Sequence, residues 1–221
     1  MVRVYLIGLF RMVGREGVPR TGALIVCANH PSTIDPPVLP AFLPRTDSWS
    51  MAKSEFFERI SVTSLVFRRY HAFPVVRHSP DRRGLRRARD VLHQGGALVV
   101  YPEGTRVESG QLERGEPGAG FIARSSGVPV LPVGLVGTNR CVPKGARWPR
   151  RAPVEIRFGA PIWIKNRRPD GRRVENQEAT DAIMLAIAAL LPEEVRGVYA
   201  DVDGMARDLD GVIERRTAGE L

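Results

Sequence analysis

Four short apolar runs rich in Val, Ile and Leu constrain this chain more than any other feature: ALIVCA (23–28), ALVVY (97–101), PVLPVGLVG (129–137) and VEIRFG (154–159). They are too short for buried helices and rich in Val, Ile and Leu, so they read as strands. A strand apolar at successive positions is covered on both faces, as in a parallel or mixed sheet lying between helices. FPVV (73–76) is a weaker fifth candidate. Helical patterns separate the runs. PPVLPAFL begins on two prolines, which suit a first helical turn. RRGLRRARDVLHQGG sets Leu85, Ala88 and Leu92 on one face and stops at Gly95-Gly96. GEPGAGFIARSSG closes on Gly127, and NQEATDAIMLAIAALLPEE is the clearest helix of all. The expected fold is α/β: a single domain with a mixed, largely parallel β-sheet flanked by helices and its functional site at the carboxyl ends of the strands. At 221 residues and 43% hydrophobic content, one compact domain accounts for residues 1–200. Segments 139–153 and 165–176 read as loops, and residues 201–221 as a weakly packed acidic tail.

The stretch ANHPSTIDPP (28–37) places His30 and Asp35 five residues apart. On a helix that spacing puts them about 140° apart around the axis; on a strand it points them to opposite sides. They meet only if the chain changes conformation between them. Pro31 biases His30 to extended geometry, Asp35 suits a helix N-cap and Pro36 the position after it. His30 is therefore expected at the carboxyl end of a buried strand and Asp35 at the start of the next helix. A carboxylate holding one imidazole N–H leaves the other nitrogen as a base. An ordinary cap beside an ordinary polar strand end accounts for the same two residues.

A second stretch, VVYPEGTR (99–106), ends another buried strand and sets Glu103, Gly104, Thr105 and Arg106 at its carboxyl end. A backbone N–H, a hydroxyl and a guanidinium there can surround one phosphate, and Arg77 after FPVV can add a second guanidinium. Ordinary turn chemistry also explains Pro-Glu-Gly-Thr. The net charge is +9, and the last 21 residues are net acidic, so the cationic excess lies in the rest of the chain. An anionic partner is implied: nucleic acid, anionic lipid or a phosphorylated small molecule. No helix-turn-helix, zinc-finger or RNA-binding pattern supports nucleic acid. Five arginines between Arg82 and Arg89 form a basic run, and Trp148 and Trp163 lie near further arginines, a pattern that suits a membrane interface. Two cysteines and no C-x-x-C fit a reduced, cytosolic setting. Cys27, inside an apolar run, reads as a buried structural thiol. The apolar start MVRVYLIGLFRMVG is broken by Arg11. It is too short to span a bilayer and has no small-residue cleavage site, so neither a span nor a signal peptide is expected there.

Together these stretches resemble the glycerolipid acyltransferase family, whose best-known members are the 1-acylglycerol-3-phosphate acyltransferases. The first family block, N-H-x-x-x-x-D, corresponds to Asn29, His30 and Asp35. The second, ending in Arg after an apolar pair, corresponds to AFPVVR and Arg77. The third, [F/Y]-P-E-G-[T/S]-R, is Tyr101 to Arg106. The fourth is VPVLPV (128–133), with Pro132 and Val133 shaping the site floor. The resemblance implies an O-acyltransferase moving a fatty acyl group from acyl-CoA or acyl carrier protein to the hydroxyl of lysophosphatidic acid, or of another lysolipid or glycolipid acceptor. It implies His30 as base and Asp35 as its orienting partner. Asn29, Arg77, Glu103, Gly104, Thr105, Arg106 and Pro132 would be substrate-binding, with Glu103 more suited to a glycerol hydroxyl than to phosphate. No cofactor or metal is implied. The partners would be the two substrates, with acyl carrier protein as one form of the donor, and an anionic membrane surface, and the location the cytoplasmic face of the cell membrane. A binding module without chemistry is the remote alternative.

Overall fold

The computed structural model describes residues 2–5, 8–56, 71–75, 81–143, 146, 148 and 150–216. Ten strands are described: β1 (Val2–Tyr5), β2 (Gly8–Val13), β3 (Leu24–Ala28), β4 (Ser48–Lys53), β5 (Ala72–Val75), β6 (Ala97–Val100), β7 (Val130–Val136), β8 (Ala152–Phe158), β9 (Trp163–Ile164) and β10 (Ile213–Glu214). The α-helices among them are α1 (Asp35–Phe42), α2 (Arg82–His93), α3 (Pro117–Ser126), α4 (Thr138–Cys141), α5 (Asn176–Ala188) and α6 (Val202–Asp208). The main sheet has eight strands in the order β1-β2-β8-β7-β3-β6-β4-β5. β7, β3, β6, β4 and β5 are mutually parallel; β8 runs against β7, and β2 runs parallel to β8. This is the mixed, largely parallel α/β sheet expected.

The central strands β3 and β6 are buried at every position, and β7 at all but its last. Their unbroken apolar character has its cause in helices on both faces. One core layer joins the sheet to α2, α3 and α5 through residues such as Leu98, Ala88, Ile122 and Ile183. The other joins it to α1 and α4 through Val26, Leu39, Leu131 and Cys141. β8 differs from the expectation: Val154, Ile156 and Phe158 are buried while Glu155 and Arg157 between them are not. Its pattern is alternating, because only one of its faces is covered at that depth. β4, SWSMAK, alternates too, with Ser48 and Ser50 inward. The apolar N-terminal run forms the β1–β2 hairpin.

The chain leaves β3 through α1 towards β4, on one side of β6. It leaves β6 through α3 towards β7, on the other side of β3. The two crossovers run in opposite directions across the β3–β6 pair, and open α/β sheets place their ligands at the carboxyl ends of such strands.

The segment from 201 onward is not a loose tail over its described length. Val212 is fully buried in the main core, β10 pairs with β9, and the Lys165 N–H donates to the Val212 carbonyl at 2.9 Å. Its acids sit on the outside while Val212 and Ile213 face inward, so a charge count alone misreads it. Among the described residues no helix is long and apolar enough to cross a membrane.

Candidate active site

The site begins where β3 stops. The Asn29 side chain donates from Nδ2 to the Leu135 carbonyl at 2.9 Å, and its Oδ1 accepts from the Leu135 N–H at 2.7 Å. The amide thus copies a peptide group and adds one rung to the β3–β7 pairing. It is buried with both polar ends engaged on Leu135, so Asn29 terminates the strand. His30 follows with its own peptide groups free of the ladder. Its N–H donates to Glu103 Oε2 at 2.8 Å and its carbonyl accepts from Val107 N–H at 3.0 Å.

Beyond Pro31 the chain turns and α1 begins at Asp35. The cap position is Ile34, one residue earlier than expected. An Asp cap would bond N–H groups two or three residues on, and Pro37 has none to give. The carboxylate turns back instead: Oδ2 accepts the Ser32 N–H at 2.6 Å and lies 2.9 Å from His30 Nδ1. The Asp35 side chain is wholly buried and that of His30 is 11% exposed. Tyr101 stacks on the imidazole with ring centroids 4.4 Å apart. The ring is therefore held by its backbone, its Nδ1 and its face. Nε2 has no hydrogen bond among the described residues, and Asp35 leaves it as the basic nitrogen. Burial, with the Asp35 charge adding, holds the Tyr101 phenol well above its ordinary range, so it stays neutral. Burial likewise pushes the Cys27 thiol up, and Cys27 is fully buried as a structural thiol should be.

The loop after β6 stands beside His30. Glu103 is buried, with Oε2 on the His30 N–H and Oε1 accepting from the Glu113 N–H at 3.2 Å. Both oxygens accept from backbone, so Glu103 braces two loops. Burial pushes its carboxyl up to about 7, against the two N–H groups that favour its charge. Gly104 has φ 68°, the left-handed region, and its N–H closes a turn on the Tyr101 carbonyl at 3.0 Å. Thr105 is exposed; Arg106 is half-buried and pairs with Glu108 at 3.1 Å. The peptide N–H groups of Thr105 and Arg106 carry no hydrogen bond among the described residues, although the loop is pinned on either side at Gly104 and Val107. These two N–H donors are functional candidates that residue types alone do not reveal. Pro132 is buried inside β7, in register with Cys27, beneath the site. Arg77 lies outside the described residues. Arg114, in the segment before the fourth block, reaches Asp181 at 3.5 Å from a mostly exposed position.

A braced His–Asp pair at the carboxyl edge of a mostly parallel α/β sheet is an arrangement suited to acid–base chemistry. The chain belongs to the acyltransferase family, whose description matches residues 10–136. It is 28% identical over 188 residues to a 1-acyl-sn-glycerol-3-phosphate acyltransferase of Chlamydomonas reinhardtii, covering 84% of this chain and 54% of that one. It is 32% identical over 143 residues to a probable 1-acyl-sn-glycerol-3-phosphate acyltransferase of Mycoplasma pneumoniae, covering 58% and 49%. The chain thus spans about half the length of these two relatives. Among solved structures it is similar to the 1-acyl-sn-glycerophosphate acyltransferase PlsC of Thermotoga maritima, with TM-score 0.65 and 28% identity over 82% of this chain and 70% of that one.

Proposed function

We propose that this protein transfers a fatty acyl group from an acyl thioester to the free hydroxyl of 1-acylglycerol 3-phosphate, giving phosphatidic acid. The observation that carries the reading is the 2.9 Å contact of His30 Nδ1 with buried Asp35, which leaves Nε2 unengaged beside the E-G-T-R loop. The names of the relatives support the acceptor. In this reading Nε2 takes the proton of the acceptor hydroxyl as its oxygen attacks the thioester carbonyl carbon. The tetrahedral oxyanion then collapses, the C–S bond breaks, and the imidazolium returns the proton to the leaving thiolate. Asp35 stabilises the imidazolium in between. Arg106, with Arg77, neutralises the acceptor phosphate, and the free N–H groups of Thr105 and Arg106 serve as its hydrogen-bond donors. The donor is acyl-CoA or acyl carrier protein, and the chemistry draws on no metal or cofactor. The enzyme would work on the cytoplasmic face of the cell membrane.

The test is thiol release by purified protein given palmitoyl-CoA and lysophosphatidic acid, with His30→Ala alongside. Release that requires the acceptor, and that falls by about 10²–10⁴-fold in the variant, is the expected result. Release that persists in a folded His30→Ala protein overturns the assignment of His30.

A further inference from the structure

The connection between β7 and β8 carries a surface that the chemistry above does not use. β7 runs parallel to β3 and β8 runs antiparallel to β7, so this connection emerges at the same edge of the sheet as His30, one strand away. It begins with α4, whose Cys141 is fully buried in the core layer that also holds Ala28 and Leu39. It closes where the Arg150 N–H donates to the Cys141 carbonyl at 2.7 Å. Its base is therefore anchored. On it stands Trp148, 80% exposed, the most exposed large hydrophobic residue described. Arg140, Arg150 and Arg151, on the same connection, are exposed, and none has an ion pair or a side-chain hydrogen bond among the described residues.

The other two tryptophans are accounted for. Trp49 lies between His71, 4.8 Å away, and the Arg87 guanidinium, 4.9 Å away. Trp163 is 6% exposed under Arg216, so it cannot act as the interface anchor the sequence suggested. A projecting indole has an apolar body and one N–H, the combination that settles at the headgroup level of a bilayer. Guanidinium forks on the same connection, unpaired among the described residues, match phosphate oxygens. A protein partner would ask for a packed apolar patch with the aromatic at its centre; here a single exposed ring stands on a connection that carries three exposed arginines. We propose that Trp148, Arg140, Arg150 and Arg151 dock the carboxyl edge of the sheet onto an anionic phospholipid surface. The edge that carries His30 then faces the lipid headgroups. The reason for such docking rests on the acyltransferase reading, but its detection does not.

The test is co-sedimentation of the full chain with vesicles of phosphatidylcholine alone and with added phosphatidylglycerol, together with tryptophan emission. Binding to the anionic vesicles only, weakened by salt, is expected, with a blue shift that both Trp148→Phe and Trp148→Ala lose and with co-sedimentation that Trp148→Ala weakens more than Trp148→Phe. Arg150→Gln and Arg151→Gln should each weaken binding about fivefold. Because all four side chains are exposed and unpaired, these variants should keep the parent melting temperature. Two results among the variants overturn the proposal. One is anionic binding unchanged in Trp148→Ala and in the Arg150→Gln/Arg151→Gln double variant. The other is binding lost instead on Arg82→Gln/Arg86→Gln/Arg89→Gln, which would place the contact on the flank of α2. No binding at all, or capture by an acidic carrier protein in place of vesicles, also overturns it. Turnover separates the two readings: Trp148→Ala should slow acylation of vesicle-borne acceptor and spare that of a monomeric short-chain one. Failure of the parent protein to turn over either acceptor defeats the proposed function while leaving the vesicle result standing.

Discussion

At position 103 a carboxylate lies between the peptide N–H groups of two loops, so its loss reaches the chemistry through His30. Glu103→Gln puts an amide N–H against one of those donors and loosens the loop. The expected result is a kcat lowered by up to about a hundredfold with the acceptor KM nearly unchanged; a direct substrate contact would raise KM instead. The same residue shapes the pH dependence of stability. Its folded carboxyl is raised to about 7 from an ordinary 4.5. The folded chain therefore holds a proton the unfolded chain releases, and stability from this group is full below about 4.5 and lost as pH rises through about 7. Melting temperatures across that window should fall with pH in the parent and flatten in Glu103→Gln. Asn29→Ala leaves both Leu135 backbone groups buried and unpaired, which should cost about 1–3 kcal/mol in denaturant unfolding.

Between elements, α3 packs closely on α5. Gly120 donates its N–H to Thr180 Oγ1 at 2.9 Å, and a methyl group there would meet the Asn176 carbonyl, Thr180 N and the Ala179 Cβ. Gly120→Ala should therefore lower stability by about 1–3 kcal/mol through overpacking, read as a drop in melting temperature. Which elements were legible in the sequence follows from the same packing. β3, β6 and β7 are covered on both faces and announce themselves as apolar runs. β4 carries serines on its buried face, so its alternation has no hydrophobic contrast to read. The His–Asp pair was legible because prolines dictate where the strand ends and the helix starts. The roles of Asn29 and Glu103 were not, since each is decided by a backbone partner 106 or 73 residues away.

For the molecule as a whole, the C-terminal segment closes the core over β9. Truncation after Ala200 removes Val212 and the β10 partner of Trp163. Burying a side chain such as Val212 contributes about 1.5–3 kcal/mol, so the shortened chain should unfold at markedly lower denaturant; a loose tail would leave the midpoint unmoved. The charge is distributed at this scale as well, with the cationic excess outside the last 21 residues. The clasp at His30 has one more consequence, in the exchange of amide hydrogens with solvent. His30 lies in a loop, where exchange is ordinarily fast. Its N–H is given to a buried carboxylate and its carbonyl to Val107, so its deuterium uptake should be as slow as that of the central strands. The base would then be one of the last loop residues in the chain to open.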